Sequence, residues 1–420
     1  MNEATLQYVR QHADDDVRML ALCGCKTPEV DLQLALQQIA GRQTAGKKLP
    51  SWAKHEDILF PPHLSMEQCS SEQTARYKAE LCQRLLKEER QGVPTPEEET
   101  SLTDLTGGFG VDFSFLAPLF QKSTYVEQQE HLCQLARHNF NILGLNNEVI
   151  CANSTDYLKK IPKSTVIFLD PARRNEHGGR TYDISDCTPD VLSLRDELLQ
   201  KADFVILKLS PMLDWRKAVN DLGAQWVKEV HIVSVQNECK ELLVILTSHL
   251  SPLSSLHLFC INDDHVFEVP PLRSTSGRSQ GENSQFSARP LVTRKARTLN
   301  SQFLYEPNAS IMKAGCFREL ASRWSVAQIA PNSHLFVSDR LIEDFPGRRF
   351  HIKVISSLNR KELKEKVLLL GKANIAVRNF PQTVAELRKR LKLSDGGSHY
   401  IFATTLADGN HVLIVCQQLF

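Results

Sequence analysis

Several features that would narrow the function of this 420-residue chain are missing from its sequence. No apolar run reaches membrane-spanning length, and the first residues lack the basic, apolar and small-residue pattern of a secretion signal. No segment repeats along the chain. We therefore expect a cytoplasmic protein that does not associate with membranes.

A strong net charge is also missing, because 50 Lys and Arg are balanced by 49 Asp and Glu. Any affinity for nucleic acid must then come from an uneven distribution of charge along the chain. Hydrophobic residues make up 42%, which is typical of an ordinary globular core. The length allows two or three domains.

Paired metal-binding cysteines are lacking as well. The chain has eleven cysteines, but Cys23 and Cys25 have no second pair at matching spacing. A structural zinc ion needs four ligands at recurring spacing, so we expect no metal site. Reduced and mostly buried thiols are the simpler interpretation.

The most informative stretch that is present covers residues 101–112. A short strand ends near Asp104, and a helix is predicted from the following turn to about Phe120. The turn contains three glycines, Gly107, Gly108 and Gly110. Glycine lets the backbone turn sharply and approach a ligand, and a helix start leaves N–H groups available. The pattern predicts a loop that cradles a nucleotide-like cofactor, although a tight turn without a ligand would look the same.

Polar residues follow three later predicted strands at their carboxyl ends. Glu127 ends the strand 123–127, about twenty residues after the loop, where a carboxylate can accept both ribose hydroxyls. Asn153 follows the strand 148–152, and Asp170 with Pro171 follows the strand 164–169. Ligands of open α/β sheets bind at this edge.

This series resembles the class I S-adenosylmethionine-dependent methyltransferases over about residues 96–247. The resemblance implies an α/β fold with a Rossmann-like, seven-stranded sheet and S-adenosyl-L-methionine as the cofactor. Thr106 stands where many members carry a first glycine, and Asn153 where an aspartate commonly meets the adenine. The cofactor-binding residues that the resemblance implies are Asp104, Thr106, Gly107, Gly108, Gly110, Asp112, Glu127 and Asn153.

Asp170–Pro171 resembles the Asp/Asn-Pro-Pro-aromatic motif of enzymes that methylate amino groups of bases, with Ala172 and Arg173 as departures. Together with the C-terminal region, the sequence Asp-Pro-Ala-Arg-Arg is most similar to bacterial methyltransferases with a THUMP-like domain, a family considered to act on RNA. The implied partner is RNA, either tRNA or rRNA, and no obligate protein partner is inferred.

The chain divides into four predicted segments. Residues 1–95 form an N-terminal helical domain and residues 96–250 the methyltransferase domain. Residues 251–345 form an α+β, ferredoxin-like linker domain, and residues 346–420 a THUMP-like basic α+β domain. The loop predicted for 272–290 is rich in Ser, Gly, Arg and Gln.

Within the catalytic segment, strands and helices alternate as in a mostly parallel sheet covered on both faces. The apolar runs 226–235 and 241–246 are separated only by a short joint, which forces an antiparallel pair. A parallel sheet that finishes in such a hairpin fits a methyltransferase better than a nicotinamide-dependent dehydrogenase.

The predicted N-terminal helices cover 14–22, 28–43 and 71–90. The last has Ala75, Ala79, Cys82 and Leu86 at helical spacing. We interpret Arg76 and Lys78 on it as solvated charges rather than as substrate contacts. Another helix is predicted for 308–322.

Basic residues are concentrated near the C-terminus. Between Arg348 and Asp395, thirteen Lys and Arg stand against four Asp and Glu. Arg388, Lys389 and Arg390 share one predicted helix beside Arg378. The excess predicts a surface that follows RNA phosphates, with a solvated basic face as the alternative.

Methyl transfer requires alignment of the nucleophile with the methyl carbon, and a group that accepts a proton. We predict that Asp170 orients a substrate N–H and that Pro171 shapes its loop, unless Asp170 only caps a helix. Phosphate contacts are predicted for Arg173, Arg174 and Arg180, and stacking on an extruded base for Tyr182. Surface charge and core packing are the alternatives for these four residues.

Nitrogen of an RNA base is the predicted methyl acceptor. Catalysis through a cysteine is disfavoured, because the fifth strand ends at 208–211 without one. A non-catalytic RNA-binding protein on a methyltransferase fold and a small-molecule methyltransferase remain the alternatives.

Overall fold

The computed structural model describes residues 1–90, 99–173, 183–249, 256–270 and 301–419. Contacts divide the chain into two compact units. The first contains Met1–Val230 and Glu241–Leu256, and the second contains His231–Lys240 and His257–Phe420. The predicted division into four domains stays a prediction.

Residues 1–90 of the first unit are helical, as predicted. The helices are α1 (Glu3–Gln11), α2 (Val17–Cys23), α3 (Leu32–Lys48), α4 (Pro50–Ala53), α5 (His63–Gln68) and α6 (Glu72–Arg90). The side chains of Asp16 and Asp31 accept the first free N–H groups of α2 and α3. These caps explain why both helices begin later than periodicity alone predicted.

The helical region packs on the start of the α/β region through one apolar cluster. Trp52, Phe60 and Met66 are buried there together with Phe109 and Val111. The rings of Trp52 and Phe109 lie 5.0 Å apart in an edge-on arrangement. The residues after the glycine loop are therefore supported by the N-terminal helices.

The α/β region alternates as its sequence predicts. Its elements are β1 (Ser101–Asp104), α7 (Val111–Leu116), β2 (Lys122–Glu127), α8 (Glu130–Ile142), β3 (Glu148–Cys151), α9 (Ser154–Leu158), β4 (Ser164–Leu169), β5 (Ala172–Arg173), β6 (Cys187–Thr188), α10 (Val191–Lys201), β7 (Ala202–Leu209), α11 (Trp215–Leu222), β8 (Val227–Val235) and β9 (Glu238–Leu246). A 3₁₀ turn, Ala117–Leu119, continues α7 to the predicted end near Phe120.

The strand order explains where a ligand can bind. Strands β3, β2, β1, β4 and β7 are neighbours in that order and run parallel. Strand β9 pairs antiparallel with β7, and β8 lies next to β9. A turn with positive φ at Gln236 and Asn237 joins β8 to β9, which is the short joint that predicted a hairpin. The carboxyl ends of the five parallel strands share one edge of the sheet.

The second unit begins with the tip of the β8–β9 hairpin. Strands β10 (His257–Asn262) and β11 (His265–Val269) pair antiparallel. The strand order of the sheet continues from β8 through β10 to β11, so among the described residues it has nine strands rather than the seven predicted. The loop predicted for 272–290 lies outside the described residues.

The C-terminal residues form a second sheet. Its elements are β12 (Phe303–Pro307), α12 (Ala309–Ala314), α13 (Phe317–Trp324), β13 (Ala327–Gln328), β14 (Phe336–Ser338), β15 (Gly347–Ser357), α14 (Arg360–Lys366), β16 (Asn374–Arg378), α15 (Val384–Leu391), β17 (His399–Thr405) and β18 (His411–Leu419). The strand order is β13-β14-β12-β15-β18-β17-β16.

One helix prediction in this unit is wrong. The single helix predicted for 308–322 is two helices, because Gly315 adopts a left-handed conformation with φ +68° and ends α12. No helix within the described ranges is both long and apolar enough to cross a membrane.

Candidate active site

The glycine loop lies between β1 and α7, at the carboxyl edge of the parallel strands. The Gly107 N–H donates to the Val126 carbonyl at 2.9 Å, which ties the loop to β2. A Cβ at Gly107 would lie 2.1 Å from the Tyr125 ring, and a Cβ at Gly110 would lie 2.6 Å from the Phe140 ring. These two glycines are therefore required by close packing, whatever ligand the loop holds.

Gly108 differs from its two neighbours because it faces open space. A Cβ there would meet only the Thr106 carbonyl oxygen, at 3.8 Å. Its φ of +55° is a conformation that other residues rarely adopt. The Tyr125 hydroxyl donates to the Gly108 carbonyl and holds the turn in place. Gly108 is thus the position of the loop that a ligand can approach.

Glu127 lies beside this opening, at the end of β2. Its Oε2 accepts the Gly108 N–H at 3.0 Å, and its Oε1 accepts the Gln129 N–H at 2.9 Å. The residue is 9% exposed. Each carboxylate oxygen can accept a further hydrogen bond, so both could still receive the hydroxyls of a ribose.

Asn153 follows β3 on the same edge and caps α9. Its Oδ1 accepts the N–H groups of Thr155 and Asp156 at 3.0 and 3.3 Å. The two capping hydrogen bonds use the side-chain oxygen of Asn153. They do not use its amide N–H groups, which this exposed residue can offer to another acceptor. The predicted adenine contact stays a prediction.

Asp104 is the buried acid at the end of β1. Its carboxylate accepts the Thr106 N–H at 2.9 Å. Burial raises its pKa well above the usual range, and the carboxylates of Asp112 and Asp170 act in the same direction. Asp104 therefore holds the start of the glycine loop through Thr106, and its predicted cofactor contact stays a prediction.

Asp170 connects the end of β4 to the glycine loop. Its backbone N–H donates to Thr106 Oγ1 at 2.6 Å. Its carboxylate Oδ2 lies 2.5 Å from Lys208 Nζ, and the side chain is 40% exposed. Burial raises its pKa, against the opposing effect of the Lys208 ammonium.

The alternative role of Asp170 as a helix cap is wrong. The next residue, Pro171, is buried, and Ala172–Arg173 forms β5, which pairs antiparallel with β6. A cap requires the three residues after it to be helical. The partly exposed carboxylate of Asp170 is left to interact with Lys208 and with whatever binds at this edge.

Asp112 is the buried acid in the first turn of α7. The structure places its carboxylate between two lysines, with Oδ1 3.1 Å from Lys78 Nζ and Oδ2 3.5 Å from Lys208 Nζ. The Ser70 hydroxyl donates to Oδ2 at 2.7 Å. Burial alone would raise the pKa of Asp112, but the two ammonium groups outweigh it and lower that pKa. Asp112 therefore forms ion pairs inside the protein, and its predicted cofactor contact stays a prediction.

Lys78 completes this cluster, and its interpretation as a solvated charge is wrong. The side chain is fully buried and lies 2.5 Å from Glu241 Oε2 on β9. The Ser70 hydroxyl bridges to Glu241 Oε1 at 3.2 Å. Five charged residues therefore form one continuous series, buried except for the partly exposed Asp170, which we call the ion chain: Glu241, Lys78, Asp112, Lys208 and Asp170.

Two members of the ion chain had a signal in the sequence. Lys78 lies three residues after Ala75 and four before Cys82, so it falls on the apolar stripe of its helix. Lys208 stands one residue before the end of a continuous apolar strand, at the edge where the other site residues meet. Burial disfavours the charged form of Lys208, but Asp170 and Asp112 outweigh it and raise its pKa well above the usual range.

The predicted phosphate contacts of the catalytic segment cannot be placed. Arg173 belongs to β5 by its backbone, and its side chain is not described. Arg174, Arg180 and Tyr182 lie outside the described residues.

The predicted RNA contacts in the second unit have unequal surroundings. Arg378 pairs with Glu306, a buried acid that also pairs with Arg348. Arg388 lies 2.7 Å from Asp395, and Arg390 donates to the Leu358 carbonyl at 3.2 Å. Three residues of the predicted phosphate surface therefore have partners within the second unit.

The exposed part of this surface lies on α15 and just after it. Lys389 and Lys392 are both exposed. The helix begins with a capping box, in which the Thr383 side chain and the Glu386 side chain bond to each other's backbone N–H. Lys389 thus lies on a capped helix, and Lys392 directly follows it.

Comparison with known proteins gives two family matches in the C-terminal region. A ferredoxin-like domain family matches residues 303–346, and a THUMP domain-like family matches residues 347–418. A crystal structure from Porphyromonas gingivalis W83, of a protein considered to be a methyltransferase, has 29% identity and a TM-score of 0.79. The match covers 99% of this chain and 98% of that one.

Curated relatives match the chain as well. An uncharacterised S-adenosylmethionine-dependent methyltransferase of Mycobacterium tuberculosis is 22% identical over 311 residues, in strains CDC 1551 / Oshkosh and ATCC 25618 / H37Rv alike. The match covers 73% of this chain and 78% of the relative.

The parallel strands, the antiparallel β9 inserted beside β7 and these relatives define a class I S-adenosylmethionine-dependent methyltransferase. More particularly, the C-terminal match adds a THUMP-like domain to this methyltransferase.

Proposed function

We propose that this methyltransferase transfers the methyl group of S-adenosyl-L-methionine to a base nitrogen in structured RNA, either tRNA or rRNA. The observation that carries the proposal is the hydrogen bond from the Asp170 N–H to Thr106 Oγ1. It joins the candidate acceptor-orienting residue directly to the candidate cofactor loop.

The residues at this edge fit a nucleoside cofactor. Gly108 has open space where a side chain would otherwise stand, and the adjacent Glu127 carboxylate can accept sugar hydroxyls. When bound, S-adenosyl-L-methionine supplies an electrophilic methyl group. The chain must then hold the acceptor in line and take up its proton.

Asp170 is the residue we assign to the acceptor. Lys208 engages its Oδ2, so Oδ1 is the oxygen that we expect the substrate N–H to meet. An ionised Asp170 would accept that hydrogen bond and then the proton released as the N–CH₃ bond forms. The buried Pro171 holds the backbone that carries it.

The basic residues of the second unit support RNA as the substrate. The THUMP-like domain contains all thirteen Lys and Arg found between Arg348 and Asp395, against four acids. Phosphate contacts of this kind position an RNA without reading its sequence.

The test is nucleoside analysis of RNA methylated in vitro. The purified chain is incubated with methyl-labelled S-adenosyl-L-methionine and total RNA from cells that lack it, and the RNA is digested and analysed by mass spectrometry. We expect one labelled N-methylnucleoside. A chain that binds the cofactor and RNA but labels no nucleoside would instead be a binding protein on a methyltransferase fold.

A further inference from the structure

The ion chain lies under the proposed acceptor site and links it to the N-terminal helices. Glu241 is on β9, Lys78 on α6, Asp112 on α7, Lys208 on β7, and Asp170 follows β4. Their charges alternate along the series, with three carboxylates and two ammonium groups. Asp170 is its most exposed member.

We propose that Lys208 is a positioning residue for Asp170, and that Lys78 of the N-terminal helical region keeps Lys208 in place through Asp112. This inference rests on the proposed function, because Asp170 meets a substrate only if methyl transfer occurs at this edge. The inference makes α6 part of the active site, together with the residues at the strand ends.

Geometry is the first argument. Lys208 Nζ is 2.5 Å from Asp170 Oδ2 and 3.5 Å from Asp112 Oδ2, so one ammonium group bridges two carboxylates. Contact with one oxygen of Asp170 restricts rotation of the carboxylate and directs Oδ1 elsewhere.

The energetics of burial give the second argument. A buried ion pair is a weak source of stability, because apolar residues of similar size often stabilise a protein equally well or better. Lys78 is fully buried, and Asp112 and Glu241 are nearly so. The buried members of the ion chain cost desolvation energy, and the series ends at the partly exposed carboxylate of Asp170. We therefore explain the ion chain by its effect on the position and ionisation of Asp170.

The position of Lys208 depends on the other partners of the Asp112 carboxylate. Lys78 and the Ser70 hydroxyl both engage Asp112, which limits how strongly it attracts Lys208. Without Lys78, Asp112 would have Lys208 as its remaining cation in the ion chain. Lys208 would then move toward Asp112 and away from Asp170.

The charge around Asp170 determines the direction of the pH effect. The charged groups that face it are Lys208 on β7, Asp112 on α7, Asp104 on β1 and Glu241 on β9. Cys69, after α5, also lies near Lys208. Because Lys208 opposes three carboxylates and the effect of burial, its removal must raise the pKa of Asp170 further.

The experiment measures this ionisation directly on the protein. Asp170 is assigned by comparison with Asp170→Asn in ¹³Cγ-aspartate NMR spectra, and its titration is followed in wild type and in Lys208→Met. We expect the midpoint to rise by about one to three pH units, the usual effect of an opposite charge at this distance. Lys78→Met should shift it in the same direction by less.

Matched variants separate this role from folding. Lys208→Met/Asp112→Asn removes one charge of each sign, so the ion chain keeps its net charge, and its Asp170 midpoint should still rise. Lys208→Arg keeps the cation and should restore most of the wild-type midpoint. Lys122→Met removes an exposed lysine at the amino end of β2 and should change nothing.

Activity gives a second readout. In Lys208→Met, kcat should fall about a hundredfold while the KM for the cofactor stays near wild type. The acid limb of the pH profile should move upward with the NMR midpoint. An unchanged Asp170 midpoint in folded Lys208→Met and in the double variant would overturn the inference. Because that titration needs no substrate, its outcome is independent of whether the chain methylates RNA.

Discussion

At the scale of single residues, substitution of Asp170 should distinguish ligand binding from methyl transfer. Its backbone is held by Thr106 and its carboxylate by Lys208, so both are positioned before a substrate arrives. We expect Asp170→Ala to leave cofactor and RNA affinity nearly unchanged and to lower single-turnover methylation about a hundredfold. Asp170→Asn should be milder if orientation matters more than proton acceptance, because the amide oxygen still accepts a hydrogen bond.

Melting curves of the same variants provide the control. Asp170 does not cap a helix, so a loss of activity in Asp170→Ala cannot be traced to helix fraying. Wild-type turnover by stably folded Asp170→Ala would end its catalytic assignment.

The pH dependence of the reaction is a second prediction for this residue. Burial raises the pKa of Asp170 above the ordinary aspartate value, although Lys208 opposes the effect. The proton acceptor must be ionised, so kcat/KM should fall as pH drops through that raised pKa. We expect an acid limb at higher pH than an ordinary aspartate would give. The profile of Asp170→Asn should lack this limb, and its persistence there would assign the limb to another group.

Gly108 tests the cofactor loop. Gly108→Arg should abolish S-adenosyl-L-methionine binding in calorimetry, because its side chain would occupy the open space beside Glu127. Gly144→Arg is the matched control: its φ is +69°, its surroundings are equally open, and it follows α8, away from the strand ends that form the site. Both variants carry similar backbone strain, about 1–2 kcal/mol. Equal cofactor affinity in the two variants would remove the loop from the site.

At the scale of elements, α6 is held to the sheet by charges as well as by apolar contacts. Lys78 pairs with Glu241 of β9, and Arg84 pairs with Glu229 of β8. Both acids are buried, so each pairing joins the helix to the antiparallel end of the sheet. The helix is therefore held to the α/β region of the first unit.

Similar substitutions at two positions on α6 should lower stability by very different amounts. Lys78→Met should lower the free energy of unfolding by about 3–5 kcal/mol, because it leaves Glu241 buried without its cation. Arg76→Met, two residues away on the same helix, removes the pair between an exposed arginine and Glu72. It should cost less than about 1 kcal/mol, because Glu72 still accepts the Ser51 N–H. Denaturant titration measures both. Lys78→Met/Glu241→Gln should recover part of the loss, and a loss equal to that of Lys78→Met alone would contradict the pairing.

At the scale of the whole molecule, RNA affinity should depend on charge in the THUMP-like domain. Binding should weaken steeply with salt, since phosphate contacts release counterions. Lys389→Glu/Lys392→Glu should reduce the slope of log K against log salt by about one per lost contact. We prefer these exposed lysines to Arg388, whose pair with Asp395 would also be broken.

The control for this prediction reverses two charges elsewhere. Lys122 begins β2 and Lys163 directly precedes β4, at the edge opposite the proposed site. Lys122→Glu/Lys163→Glu should leave the slope at its wild-type value. Equal slopes in all three proteins would exclude the basic surface as the RNA contact.

The sequence by itself determined the features that depend on neighbouring residues. The strand 164–169 has the predicted bounds, and Gln236–Asn237 forms the predicted hairpin joint. Glu127 and Asp170 stand at the predicted strand ends. Periodicity, turn residues and the end of a strand are local properties, so a single sequence contains them.

Only the tertiary structure decided the partners of the buried charges. Lys78 and Glu241 are 163 residues apart, and Arg378 and Glu306 are 72 apart, so no local pattern pairs them. Gly107 and Gly108 are alike in sequence, yet one packs against Tyr125 and the other faces open space. Asp112 has two lysine partners only because α6 and β7 bring them to it. Burial and long-range contact set the charge and role of these residues, and both arise only when the chain has folded.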